Sequence, residues 1–517
     1  MGEGVPMART HPLVLDWLSA AAARRPEAIA VRDEWGAWTY GQLDAYSFRV
    51  ARWLHARGVS RGDRVVAQLP NSRQAVALLY GALRRGSVFV PLSPDLPPYV
   101  TRGLLADAKP VLVVHDSDSE IPAAKATHES AEGVGESFLR VSVSHLFADL
   151  GSGGWRDQDD HRQEQSPQPS DTALMLYTSG STSTPKAVVC PHAQVAFSAG
   201  AISQRLGYEA DDIVYCRSPF SFDYGLYQIF LCAIAQCELA LTGRQPEVAL
   251  LRDASSYRAT VLPLTPSLAR TVIRLSRRGA VPAQIRLVTS TGEELTASTA
   301  RALRSVLPGA QVVAMYGMTE CKRISIGTPD ADLHHPGTVG TPLAGTKVTI
   351  IDEIGRPLPA GRTGQIVVRG PHVMAGYWRA PDSSAQRYRL WPATDELALY
   401  TGDYGWLDEK GLLTVVGRRD DIFKRRGVRM STAEIEAAAL DIPGVSEAAV
   451  VAPDGSGELR MWVVSVLSGP GVLKELSKRL GPFKVPDRCT VLASIPRTVN
   501  GKADKQRLAA TDNTDAL

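Results

Sequence analysis

The stretch Leu176–Val189, LYTSGSTSTPKAVV, decides how this chain is read. An apolar strand gives way to a loop packed with hydroxyls and glycine, and a lysine closes it. That composition suits phosphate. Ser179, Ser181, Thr182 and Thr184 can donate hydroxyl hydrogen bonds, Gly180 lets backbone amides approach closely, and Lys186 adds a point charge. The spacing is not G-x-x-x-x-G-K-[ST], so the P-loop of nucleoside triphosphatases is excluded. Taken alone, the loop has a plain alternative, a Ser/Thr-rich surface turn. The surrounding chain decides between them.

The strand opens an α/β stretch from Thr172 to about Arg323. Upstream, between Pro12 and Lys109, helical runs such as Ala45–Arg57 and Gln74–Arg85 alternate with short β-rich runs such as Arg64–Leu69, which predicts α/β layers with parallel strands. Asp149–Ser170 turns to Gly, Asp, Gln, Ser and Pro and reads as a solvated excursion. Downstream, Gly337–Val416 is punctuated by Gly and Pro and β-rich, as in a small barrel or distorted sheet. These pieces are expected to form one large N-terminal body, residues 1–419, of two α/β subdomains and a β-rich one. After Gly417 come a charged turn, an amphipathic helix at Thr432–Leu440, strands at Ala448–Val451 and Met461–Val466, and a helix near Leu473–Leu480. They predict a small α+β C-terminal domain over 420–517, with a disordered tail from Ala509.

A chain of 517 residues, 44% hydrophobic and 21% charged, can bury more than one core. Its net charge of +3 is a small difference between 57 basic and 54 acidic residues, and it lacks the basic tract of a nucleic-acid-binding arm. The six cysteines include no C-x-x-C pair and no zinc-finger spacing, so a reduced, cytoplasmic protein without structural metal is expected. Met1–His11 has no apolar signal core and no long apolar run follows, so a soluble chain without membrane insertion is expected.

Five further segments stand in order with the first, TSGSTSTPK at 178–186: YGMTE at 316–320, YTGD at 400–403, GRRDD at 417–421, KRRGVRMSTAEIE at 424–436 and NGKADK at 500–505. Together they make the chain resemble the adenylate-forming superfamily of acyl-CoA synthetases, nonribosomal peptide synthetase adenylation domains and luciferases, over nearly its whole length. Two residues depart from the family loop, Ser183 and Ala187, where glycine is usual. The resemblance implies an AMP-forming ligase with a mobile C-terminal domain. Such an enzyme uses ATP and Mg²⁺ to turn a small carboxylic acid into its acyl-AMP, then passes the acyl group to a thiol.

Residue by residue, the resemblance implies that Thr178, Ser179, Gly180, Ser181, Thr182 and Lys186 hold the triphosphate, and that Tyr316 lies against adenine with Thr291-Gly292-Glu293 lining the other side. Thr319 then touches the α-phosphate and Glu320 holds Mg²⁺, a hard cation that prefers oxygen. Asp403 accepts both ribose hydroxyls, and Arg418 adds a ribose or phosphate contact. Lys502 is implied to bridge the carboxylate and the α-phosphate as charge develops, and Asp420 to be the hinge that later withdraws it.

In this family Ser218–Tyr227, SPFSFDYGLY, occupies the place of the acyl pocket. Asp223 follows Phe222 as the ammonium-pairing aspartate does in amino-acid-activating members, while Tyr224-Gly225-Leu226-Tyr227 departs from their pattern and leaves Asp223 the alternative of bonding its neighbours. Arg323 stands where it could meet a polar or anionic substrate tail; Pro263, Val288, Ser290 and Met315 complete a small or medium lining. No phosphopantetheine-serine segment follows NGKADK, so a separate carrier protein is expected to supply the thiol. Free coenzyme A is the alternative, with Lys424, Arg425 and Arg426 as a basic surface for it.

Overall fold

The computed structural model describes residues 13–116, 138–151, 166–178, 185–418, 422–498 and 502–511, apart from 244, 278, 280, 283, 393, 426–427, 453–457 and 481–483. Its first large sheet runs Leu139–Ser142, Leu112–His115, Arg64–Gln68, Val88–Leu92, Thr172–Thr178, Lys186–Pro191, parallel throughout except for the last pair. The second, of nine strands, is parallel in its middle, where Ile213–Cys216, Val261–Leu264, Leu287–Ser290 and Gln311–Tyr316 lie side by side. Both confirm the expected α/β layers.

The chain crosses between the sheets in a way its linear order conceals. The N-terminal hairpin Ile29–Thr39 joins the second sheet by pairing Val31 with Leu239, while the hairpin Thr172–Pro191 joins the first through Phe89 and Leu174. The two α/β subdomains therefore exchange hairpins within one body. The helix Arg73–Arg85 shows why the sheets are inseparable: it starts at Ser72, which accepts from Ala75 N at 3.2 Å, and every residue from Ala75 to Leu83 is buried. A helix apolar on all sides belongs between layers.

The β-rich stretch is an antiparallel five-stranded sheet that includes Lys347–Ile351, Gly364–Arg369 and the long strand Leu397–Leu407, with Leu413–Arg418 against the last. The small domain packs the helices Thr432–Leu440 and Gly469–Ser477 on the sheet Val445–Val451, Arg460–Ser465, Arg488–Val491, around Ile435, Val450, Val463 and Leu476. Its second helix begins earlier than the apolar pattern suggests, because Ser468 caps it and Pro470 suits its first turn. Of the tail expected to be disordered from Ala509, residues 509–511 belong to the helix Lys505–Thr511, which buries Leu508 against Trp462 and Ile495; residues 512–517 lie outside the described residues. Among the described residues no helix is long and apolar enough to cross a membrane, the six cysteines are free, and no three metal-ligating side chains cluster.

Candidate active site

The site grows from one tight turn. The strand Gln311–Tyr316 folds back so that Ile324 N donates to Tyr316 O at 2.9 Å and Ser325 pairs with Tyr316. Gly317 makes the turn possible: a Cβ there would lie 1.9 Å from the Lys322 carbonyl oxygen. Tyr316, Thr319, Glu320, Lys322 and Arg323 therefore project from a single short loop.

On one side of it is the expected nucleotide pocket. Tyr316 donates its hydroxyl to Asp403 Oδ2 at 2.6 Å. Asp403 sits opposite Arg418 in the antiparallel ladder, with Arg418 Nε 3.4 Å from Oδ1. That Oδ1 is buried and has no hydrogen-bond partner. Burial raises the Asp403 pKa, while Arg418, Tyr316 and Arg387 pull it back. A buried acceptor left open beside an aromatic ring is what a ribose hydroxyl would satisfy. At the turn Thr291-Gly292-Glu293, Gly292 adopts φ 100°, where L side chains are strained, and leaves the Phe222 ring 3.8 Å from where its Cβ would be. Glu293 next to it lies 3.9 Å from Arg270 Nη2.

Glu320 is 6% exposed, and Tyr377 donates its hydroxyl to Glu320 Oε1 at 2.5 Å. Tyr377 arrives through an isolated antiparallel bridge to Val188, which also brings its ring 5.8 Å from Lys186 Nζ. Burial and the Glu320 carboxylate both raise the Tyr377 pKa, so it stays a donor. Thr178 pairs with Lys186, the last pair of the ladder between Thr172–Thr178 and Lys186–Pro191. Ser179, Gly180, Ser181, Thr182 and Ser183 lie outside the described residues, as does Asp420; Ala187 is a core position, fully buried with Met175.

On the other side of the turn lie the residues expected to line an acyl pocket. Asp223 opens the helix Asp223–Ala235 and is 3% exposed. Arg323 Nη1 stands 3.3 Å from Asp223 Oδ2, and the guanidinium carbon 5.2 Å from the centre of the Tyr224 ring. Tyr224 is itself held by Thr289, whose Oγ1 is 2.7 Å from its hydroxyl. Lys322 is wholly buried, with Nζ on Thr319 O at 3.0 Å and Cys190 Sγ at 3.4 Å, over the Tyr227 ring. The hydroxyls of Tyr227 and Ser290 are buried without partners. Met315 and Tyr227 share one core cluster. Val288 instead packs in the separate core of Leu262, Val272 and Leu303, and Pro263 lies buried on the strand beside it.

Lys502 closes the site from the small domain. Its hairpin is tied by the Arg497–Ala503 bridge and by Thr498 N on Lys502 O at 2.7 Å. The residue is exposed to solvent, with protein charges around its ammonium. Desolvation lowers its pKa, Arg418 adds to that, and Glu293, Asp403 and Asp223 oppose. One ammonium thus feels both the nucleotide side and the acyl side. Lys322 and Tyr377 were missed by sequence reasoning. Lys322 had a signal, the basic pair Lys322-Arg323 directly after YGMTE and Cys321, whereas Tyr377 depends on a bridge between distant segments.

Residues 18–378 match the AMP-binding enzyme family and residues 434–502 the AMP-binding enzyme C-terminal domain. The chain belongs to this family, and it spans 6% and 40% of the length of the first two curated relatives it matches. It is 32% identical over 98% of its length to a probable non-canonical nonribosomal peptide synthetase, CymA, of Salinispora arenicola, of which it spans 6%. It is 31% identical to an L-proline--[L-prolyl-carrier protein] ligase of Streptomyces coelicolor over 91% of each chain. The solved complex of VinN with L-aspartate is 40% identical, with a TM-score of 0.68 over 79% of this chain and 99% of VinN.

Proposed function

We propose that this protein is an AMP-forming ligase that activates an amino acid bearing a second carboxylate, an aspartate-like substrate, and transfers it from the aminoacyl adenylate to the phosphopantetheine thiol of a separate carrier protein. The observation that carries the reading is the charge set of the acyl pocket. Lys322 and Arg323 are two buried cations; Asp223 lies against Arg323, and the other buried anion of the turn, Glu320, is given to Mg²⁺ in this reading, which leaves one cation over. A buried surplus cation is costly unless a partner arrives. An amino dicarboxylate supplies it: the ammonium pairs with Asp223, one carboxylate compensates Lys322 and Arg323, and the other faces the α-phosphate. That VinN is solved with L-aspartate and with 3-methylaspartate supports the reading, and the prolyl-carrier-protein ligase supports the acceptor.

Asp403 would hold the ribose, Tyr316 and Gly292 would flank the adenine, and the 178–186 hairpin with Lys186 would hold the phosphates. A single carboxylate beside phosphates fits Mg²⁺, which leans on phosphate oxygens; Glu320, fixed by Tyr377, would hold it, and it would neutralise phosphate charge. Lys502 bridges the attacking carboxylate and the α-phosphate, so that two anions can meet. Rotation of residues 420–517 about Asp420 then withdraws Lys502 and admits the thiol. The test is ATP/pyrophosphate exchange with L-aspartate, 3-methylaspartate, succinate, alanine, aryl acids and short fatty acids, followed by transfer to carrier protein or to coenzyme A. Exchange should be strongest with the amino dicarboxylates. Preference for simple acyl or aryl acids overturns the substrate reading, and faster transfer to free coenzyme A overturns the acceptor.

A further inference from the structure

Asp223 opens its helix directly after the segment Ser218–Phe222, and that segment is gripped from far away in sequence. The grip is Asn71, a buried residue in the short loop between the strand Arg64–Gln68 and the helix Arg73–Arg85. Asn71 Nδ2 donates to Ser218 O at 2.8 Å, and Phe220 N donates to Asn71 Oδ1 at 3.0 Å. Both partners are backbone groups of fixed polarity, so one amide supplies a donor and an acceptor at once, where an ionised carboxylate would lack the donor. The segment passes this hold on. Phe222 N donates to Pro219 O at 3.0 Å, and the first turn of the helix Asp223–Ala235 rests on two carbonyls: a Cβ on Gly225 would lie 2.2 Å from Ser218 O and 2.6 Å from Pro219 O. The hydroxyls of Ser218 and Ser221 are buried with no partner among the described residues, so they do not fix the segment. Tyr224, one residue past Asp223, donates to Thr289 O at 2.8 Å. The turn that carries Asp223 thus has one anchor in each large sheet, Asn71 at the end of a strand of the first and Thr289 in the second.

We propose that Asn71 is a positioning residue: its clasp on Ser218–Phe220 fixes the first turn of the helix, and with it the Asp223 carboxylate that meets the substrate ammonium. The inference rests on the substrate reading above and deepens it. Asp223 already has Arg323 Nη1 at 3.3 Å, and the ammonium must fit against the same carboxylate. Pairing of that kind weakens when a carboxylate moves by a fraction of an ångström, so the backbone beneath it has to be held. Asn71 meets no reacting atom. It acts through Asp223, and its loss is felt where the ammonium is read, not where ATP binds.

The experiment uses the full chain, with Asn71→Ala, Asn71→Ser, Asp223→Asn and the double variant Asn71→Ala/Asp223→Asn. Losing two buried backbone bonds and shifting the turn should cost Asn71→Ala about tenfold in its kcat/KM preference for L-aspartate over succinate, which lacks the ammonium. The change should fall mainly on KM for L-aspartate, with KM for ATP unchanged. Asn71→Ser, whose hydroxyl can serve one of the two backbone groups, should lose about threefold, and it replaces alanine throughout if the alanine variant does not fold. In the Asp223→Asn background no carboxylate is left to place, so adding Asn71→Ala should move the preference by less than about twofold. Independently of activity, amide hydrogen exchange over residues 218–226 should quicken in Asn71→Ala while that of the strand Gln311–Tyr316 stays as in wild type. Equal loss on both acids would mean a merely structural role, a rise in KM for ATP alone a role at the nucleotide, and full additivity in the double variant a route that bypasses Asp223; each overturns the proposal, as does unchanged hydrogen exchange. If wild type shows no preference for L-aspartate over succinate, the substrate reading falls. The clasp then stands if KM for the acid that wild type does prefer rises in Asn71→Ala but not on adding it to Asp223→Asn, and falls otherwise.

Discussion

Replacing Arg323 by Gln removes one of two pocket cations while keeping a donor of similar reach. Arg323 is 5% exposed and its Nη1 lies 3.3 Å from Asp223 Oδ2. At that separation two unit charges interact by about 5 kcal/mol with an effective dielectric of about 20, and desolvation offsets part of this. Close charge pairs in binding sites are accordingly measured at about 2 to 5 kcal/mol, so the variant should lose about 3 kcal/mol of preference for L-aspartate over alanine, roughly a hundredfold in kcat/KM. The same change strands Asp223 as a buried unpaired anion, so the fold should lose about 3 kcal/mol as well. The double variant Asp223→Asn/Arg323→Gln removes both charges and should regain most of that stability but none of the discrimination. Exchange kinetics on both amino acids and denaturant unfolding read the two quantities separately. The reasoning fails if Arg323→Gln keeps the aspartate preference, or if stability and discrimination return together in the double variant.

Three other outcomes follow from the site. Lys502→Ala should slow adenylation by about a hundredfold, the cost of one preorganised donor, while single-turnover transfer from preformed acyl-AMP stays near the wild-type rate; equal losses would sink the domain-rotation account. Since the working form of Lys502 is the ammonium and its pKa is lowered, kcat/KM for exchange should fall with rising pH through a limb below the ordinary lysine value of 10.5. The always-protonated Lys502→Arg should lack that limb, and its persistence there would assign it elsewhere. Tyr377→Phe deletes the 2.5 Å hydrogen bond to Glu320 and should raise the Mg²⁺ concentration for half-maximal exchange about tenfold, as for loss of an orienting partner, with KM for the acid unchanged. An unchanged Mg²⁺ requirement would remove Glu320 as the metal's holder.

The sequence spoke most clearly where function is carried by contiguous residues. The turn at 316–323 is dictated locally, by a glycine that alone tolerates the Lys322 carbonyl, so Tyr316, Thr319, Glu320 and Arg323, which the resemblance to the adenylate-forming superfamily singles out, leave one short loop. Asp403 and Arg418 were legible as candidates, but their pairing comes from strand register across a bulge at Tyr404/Gly405, which no count of residues supplies. Tyr377 is harder still, since its neighbours Val188 and Glu320 lie far away in sequence and only the packing of the β-rich sheet against the phosphate hairpin joins them. Lys322 shows the physical limit. A lysine next to an arginine in a polar loop reads as solvated surface, because charged residues are almost never fully buried unless paired. Here the constraint runs the other way: the backbone closure at Gly317 turns Lys322 inward onto Thr319 O and Cys190, and the fold accepts the cost of its burial. A charge that folding alone leaves undercompensated is best explained by the molecule that completes it. This is why the acyl pocket, the part least determined by motif, says most about the substrate.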